Sequence, residues 1–240
     1  MARAGTMLEK SIDSSYLHTK LSVKLYVPKD FDTMHETMLC FMQDGDDYFQ
    51  MGRIATFSDR LHEEQELINT VFAGIHYRDR QDRLKKYHPD GEEYHAYQQF
   101  LIHEALPLAE DILPINPLGI VKGLMGDSLA GTFAITTALQ YPDHFQNVIM
   151  QSPLVDKSVL DIIKKAAAKN IAIYHSIGLN ERAVVTSLNK EMDFVQPNQE
   201  ASKLLKEKFS NYTYTEIKEG NHTWKYWQKE IPEILPLMFG

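Results

Sequence analysis

Gly123-Leu-Met-Gly-Asp-Ser-Leu-Ala-Gly131 is the stretch that decides how the rest of the chain is read. An apolar run, Leu118 to Met125, leads into Gly126-Asp127-Ser128-Leu129-Ala130, and a helical pattern over Ala130 to Gln140 starts at once. A strand that turns into a helix within so few residues forms a nucleophile elbow, from which the Ser side chain projects alone. The turn demands small flanks, because bulk at Gly126 or Ala130 would collide with neighbouring backbone. The pattern here is G-x-S-x-A where the usual form ends in Gly, and Gly131 follows directly. By itself the stretch would also serve as a plain helix start, since Ser is a favoured N-cap. Its meaning depends on its surroundings.

Upstream, Met7 to Ile12 and Leu21 to Val27 alternate apolar and polar residues, as half-buried strands do. Thr37 to Met42 is apolar throughout, as expected of a strand covered on both faces. Gln43 to Asp47 carries turn residues and reads as a loop, Met51 to Glu64 as a helix, and Ile68 to Ile75 as another buried strand. His76 to Glu92 is polar, contains Pro89-Asp-Gly91 and is too long for a connector, which predicts a lid-like loop. Glu92 to Leu113 has apolar residues at helical spacing and stops before Pro114.

Downstream, strands are predicted at Asn147 to Met150, Ile171 to Ile177 and Tyr212 to Ile217. Helices are predicted at Val155 to Lys169, Asn198 to Phe209 and Trp224 to Met238, the last interrupted by Pro232. Strands alternating with helices, most strands being apolar throughout, imply an α/β fold: a mostly parallel sheet with helices on both faces. No linker, repeat or low-complexity segment divides residues 1–240, so one domain is expected.

Charge and composition narrow the function. A net charge of -8 leaves no basic patch for phosphates, which argues against a nucleic-acid partner. The single cysteine, Cys40, cannot form an internal disulfide, as suits a reducing compartment. Met1 to Lys10 lacks the apolar run of a signal peptide or membrane span. A soluble cytoplasmic protein with no membrane partner is the expectation.

In open α/β sheets, ligands gather at the C-terminal ends of the strands. A serine hydrolase needs a hydroxyl, an imidazole to take its proton, an acid to orient the imidazole, and amide donors for the oxyanion. In the α/β-hydrolase arrangement the order along the chain is Ser, acid, His. Ser128, Glu181 and His222 occur in that order, each just past a predicted strand. Asp193 is a rival acid in the same connection; the Gly178-x-x-Glu181 spacing fits a residue just beyond a strand end better. One oxyanion donor would be the backbone N–H of Leu129, and the other would come from the Gln43 to Asp47 loop.

At this point the chain resembles a family of α/β-hydrolase esterases that includes esterase D-like and enterochelin-esterase-like enzymes. The matching segments are Leu25-Tyr-Val-Pro28, Met42-Gln-Asp-Gly-Asp-Asp-Tyr-Phe49, Gly126-Asp-Ser-Leu-Ala-Gly131 and Tyr141-Pro-Asp-His-Phe145. They continue with Gln151-Ser-Pro153, Ile177-Gly-Leu-Asn-Glu181 and Gly220-Asn-His-Thr-Trp224. The Asp-Gly loop and the Asn-His-Thr-Trp-x-x-Trp227 ending look more like the enterochelin-esterase branch. Two departures stand out: Ala130 replaces the second elbow Gly, and the acid is Glu181 where many relatives have Asp.

The resemblance implies an α/β-hydrolase fold, ester hydrolysis and a second oxyanion donor at the Asp46 N–H. A carboxylate beside a developing oxyanion would repel it, so the Asp46 side chain must point away, with Gly45 supplying the backbone freedom. Asp44, Gly45, Tyr48 and Trp224 are candidate pocket residues, and Trp227 reads as packing. Specificity is expected in Asp46 to Arg53, His76 to Glu92 and Asn180 to Gln196.

His88, His95 and His103 lack any metal-ligand spacing, and no dinucleotide or P-loop motif is present, so neither a metal nor another cofactor is expected. The expected activity is cofactor-free hydrolysis of a small-molecule carboxylic ester. An acyltransferase using the same triad, and a non-catalytic binding protein on the same fold, are the alternatives. Oligomeric state is not legible.

Overall fold

The computed structural model describes residues 3–32, 34–113, 119–167, 170–186 and 190–240. Eight strands form one sheet: β1 (Thr6–Asp13), β2 (Lys20–Val27), β3 (Thr37–Gln43), β4 (Asn69–Ile75), β5 (Ile120–Asp127), β6 (Asn147–Gln151), β7 (Ala172–Gly178) and, last, β10 (Tyr212–Ile217). Their spatial order is β1-β2-β4-β3-β5-β6-β7-β10. β1 pairs antiparallel with β2 and β2 with β4; every later pairing is parallel. This is the mostly parallel α/β sheet that the alternation of strands and helices implies.

The apolar runs work because each strand feeds two cores. On β3, Leu39 and Phe41 face one core while Met38, Cys40 and Met42 face the other, the period-2 alternation of a pleated strand. The larger core lies under α3 (Arg80–Tyr87), α4 (Tyr94–Phe100), α5 (Leu106–Ile112), α6 (Ser128–Gln140), α7 (Lys157–Lys165) and α8 (Val195–Lys208). The other is covered by α1 (Gly45–Gln50), α2 (Ile54–Glu63) and α9 (Trp224–Phe239). Each fully buried Val, Leu, Ile, Phe or Met side chain contributes about 1.5–3 kcal/mol by leaving water, which favours apolar residues on both faces of the central strands.

Several expectations are corrected. The Gln43 to Asp47 loop is shorter than expected, because α1 already starts at Gly45. The stretch read as a lid-like loop holds a helix, α3, capped by Asp79, whose Oδ1 accepts from the N–H groups of Gln81 and Asp82. Its buried side includes the ion pair Lys86–Asp82 at 2.7 Å, so hydrophobic periodicity could not reveal it. The helix expected over Met51 to Glu64 is α2 and starts later, at Ile54, because Arg53, at φ 56°, separates it from α1. Between α4 and α5 the chain widens into a π-turn over Leu101–Ala105, just before Pro107, which has no N–H to donate to the His103 carbonyl in a regular α-helix. α9 runs through both Pro232 and Pro236 instead of breaking, with Ile231, Ile234, Leu235 and Phe239 buried along it.

A small antiparallel hairpin, β8 (Val184–Val185) with β9 (Glu191–Met192), was not anticipated; two-residue strands carry no readable pattern. Pro114, Leu118 and Lys169, which bound predicted elements, lie outside the described residues. Among the described residues no helix is long and apolar enough to cross a membrane.

Candidate active site

The site is assembled at the C-terminal ends of β3, β5, β6, β7 and β10. β5 ends at Asp127, and Ser128 turns the chain into α6 with φ 49°, a left-handed conformation that is costly for a non-glycine residue. Gly126 is obligatory here: a Cβ would lie 2.3 Å from the carbonyl carbon of Ala130. Ala130 itself is fully buried in the larger core, so its extra methyl is absorbed by packing, and Ser128 stays within reach of its partner.

That partner is His222, on the loop between β10 and α9. Its Nε2 lies 2.9 Å from Ser128 Oγ, and its Nδ1 lies 2.6 Å from Glu181 Oε2. A carboxylate only accepts, so Nδ1–H donates to Glu181 and Nε2 accepts from the Ser128 hydroxyl. Glu181, just beyond β7, is 1% exposed, and its Oε1 accepts from the Gly178 N–H at 2.9 Å and the Ser152 hydroxyl at 2.7 Å. The imidazole packs edge-on against Phe194 and Trp227, with ring centroids 4.7 and 4.9 Å away. Asp193, the rival acid, instead opens α8, its Oδ1 accepting from the Val195 N–H at 2.7 Å.

The Leu129 N–H belongs to the first turn of α6, where backbone donors have no helical acceptor. Across from it, the left-handed residue is Asp44 at φ 58°, not Gly45, which corrects the expected source of backbone freedom. Gly45 is needed for a different reason: its Cβ would lie 2.5 Å from the Gly74 Cα. The Asp46 carboxylate is held by Lys24 Nζ at 2.6 Å, so it has a counter-charge of its own.

Behind these backbones lies a buried acidic cluster with Arg83 as its cation. Burial, and then the nearby Asp44 charge, push the Asp127 carboxyl well above its ordinary range. The same two effects raise Asp47. Arg83 keeps its charge against burial because Asp44 is bonded to it.

Ser128 and His222 open into a cleft of about 860 Å³. One wall is apolar, with Leu129, Leu154, Val184, Met192 and Phe194; the other, from α3 and the turn after it, is polar. Two of the three segments expected to set specificity, His76 to Glu92 and Asn180 to Gln196, therefore reach the cleft. The candidate pocket residues Tyr48 and Trp224 pack against each other instead, at 4.9 Å, and the Tyr48 hydroxyl donates to Gln151. A separate hollow of about 970 Å³ beside Asp32, Asp59 and His62 contains none of these residues.

His88, Asp90 and Asp156, in the polar wall, offer ligand atoms within 4.8 Å of one another. Both ring nitrogens of His88 are engaged, Nδ1 accepting from the Asp90 N–H and Nε2–H donating to Asp156, so a metal would have to displace one of them.

Residues 14–238 match the model of the family described as "Putative esterase". The chain belongs to this family. The uncharacterized protein YjcH of Bacillus subtilis (strain 168) is 38% identical over 235 residues, covering 98% of both chains. Among solved structures, the enterobactin esterase FES from Shigella flexneri superposes with a TM-score of 0.80 at 20% identity, over 96% of this chain and 58% of that one. A ferulic acid esterase matches over 97% of both chains, with a TM-score of 0.77 at 15% identity. At such identities these likenesses speak for the α/β-hydrolase fold.

Sequence reasoning did not give a role to Ser152, Arg83 or the Trp227 indole N–H. The Gln151-Ser-Pro153 match was the one available signal for Ser152.

Proposed function

We propose that this member of an esterase family hydrolyses small carboxylic esters through an acyl-enzyme on Ser128. The observation that carries the reading is the unbroken hydrogen-bonded line from Ser128 Oγ through His222 to a buried Glu181. His222 Nε2 takes the Ser128 proton as Oγ attacks the ester carbonyl, and Glu181 keeps Nδ1 protonated and stabilises the imidazolium. The oxyanion accepts from the Leu129 N–H and from the Asp46 N–H, each such donor being worth about 10²–10³ in rate. As the tetrahedral intermediate collapses, His222 passes its proton to the departing alcohol. Water then attacks the acyl-enzyme and gives a proton to His222, which returns it to Ser128 Oγ as the second tetrahedral intermediate collapses and the carboxylic acid leaves. The chemistry uses side chains, backbone amides and water alone.

The apolar wall of the cleft suits an acyl or aryl group of the ester. Reaction with a fluorophosphonate tests the assignment: the adduct is expected on the peptide containing Ser128. No adduct, or an adduct elsewhere, would refute it.

A further inference from the structure

The buried support behind Glu181 is part of no role assigned so far. Ser152 follows β6 directly, is 1% exposed and has φ 46°, the same left-handed strain that marks Ser128. Its hydroxyl is 2.7 Å from Glu181 Oε1 and 3.0 Å from Trp227 Nε1. An indole N–H can only donate and a carboxylate can only accept. The polarity of the chain is therefore fixed by chemistry: Trp227 donates to Ser152, and Ser152 donates to Glu181.

We propose that Ser152 and Trp227 are positioning residues for hydrolysis, Trp227 aligning the Ser152 hydroxyl and Ser152 locking the carboxylate that orients His222. The proposal rests on the triad reading above. A glutamate has one more torsion than an aspartate, and its terminal torsion is broad. With Ser152 and Gly178 both donating to Oε1, the carboxylate cannot rotate without losing two buried hydrogen bonds, and Oε2 stays aimed at Nδ1. The brace thus holds the longer, more flexible of the two acids in a single conformation. Trp227 acts twice, because its ring also packs edge-on against the imidazole at 85°. Its backbone carbonyl is held by Gln151 Nε2 at 2.9 Å, which ties the first turn of α9 to the end of β6.

The test compares Ser152→Ala, Ser152→Gly, Trp227→Phe and the Ser152→Ala/Trp227→Phe double variant with the parent and Ser128→Ala. Glycine suits φ 46°, so Ser152→Gly removes the hydroxyl while relieving backbone strain. Ser152→Gly is expected to stay folded and to lose kcat about tenfold with KM nearly unchanged, as an orienting group lost from the transition state should. Trp227→Phe keeps a ring against His222 and should lower kcat similarly. Because Trp227 acts through Ser152, the double variant should be no more than about twofold slower than Ser152→Ala. Full kcat in Ser152→Gly and Trp227→Phe, or losses that multiply in the double variant, would overturn the brace. If Ser128→Ala is inactive while those variants are fully active, only the brace fails. If Ser128→Ala is itself active, the triad reading fails.

Discussion

Arg83 grips Asp44 with a fork: its Nε lies 3.1 and 2.9 Å from the two carboxylate oxygens, and its Nη2 lies 2.5 Å from Oδ2. The same Nη2 is 3.4 Å from the Asp127 carbonyl oxygen. One guanidinium thereby spans the two backbones, after β3 and after β5, that carry the proposed oxyanion donors. Asp44 holds an unfavourable left-handed turn, and the bidentate contact offsets that strain. The rings of Tyr77 and Tyr87 flank the guanidinium at 5.6 and 5.9 Å.

Arg83→Ala would leave the buried Asp44 carboxylate without its cation, which typically costs about 3–5 kcal/mol. Arg83→Lys keeps the charge but loses the fork, so it should be more stable than Arg83→Ala while remaining slower than the parent. Urea unfolding midpoints and kcat on an aryl ester check both. Full activity in Arg83→Lys would show that the fork geometry does not matter to the donors.

Glu181→Gln should lower kcat by about 10²–10⁴, because an amide cannot stabilise the imidazolium. Asp193→Ala should leave kcat intact and cost about 1 kcal/mol of stability, the worth of a helix cap. Steady-state kinetics on the two variants decide between the acids, and the reverse pattern would reassign the role to Asp193.

At the elbow, Gly126→Ala should destabilise by about 2 kcal/mol or more, since its methyl would meet the Ala130 carbonyl at 2.3 Å. Ala130→Gly restores the usual motif but adds a helical glycine, costing about 1 kcal/mol with kcat unchanged. Thermal melts paired with activity assays separate the two outcomes. A large rise in kcat for Ala130→Gly would show that the methyl does displace Ser128.

Glu230, on α9, faces the Tyr174 hydroxyl at 3.1 Å, and burial pushes its carboxyl up to about 7 from 4.5. In the folded state it holds its proton between those values, whereas the unfolded chain has lost it. Its contribution to stability is therefore complete below pH 4.5, declines as pH rises to about 7, and is flat above. Glu230→Gln should match the parent near pH 4.5 and exceed it at about pH 8 by on the order of 2–3 kcal/mol. Urea midpoints at both pH values test the sign; a variant less stable at the higher pH would contradict it.

What was legible in the sequence follows from where the physical signal was local. β3 could be read because both its faces are buried, and the meeting of Ser128, Glu181 and His222 because each sits just past a strand end. Tyr212 to Ile217 was bounded correctly by its flanking turn residues. α3 was missed because its buried side holds Lys86 and Asp82, which masks the apolar period. Ser152 was missed because the Gln151-Ser-Pro153 match says nothing of its partners, Glu181 and Trp227, which lie far along the chain. The left-handed turn was assigned to Gly45 on intrinsic preference, whereas a tertiary contact with Arg83 accompanies it at Asp44.

The central claim is that Ser128 is the nucleophile of an ester hydrolase. Hydrolysis of para-nitrophenyl acetate by Ser128→Ala, beside the parent protein, tests it most directly. The account predicts that kcat/KM falls by at least about 10³ in a variant that melts like the parent. Turnover by Ser128→Ala at the parent's rate would contradict it.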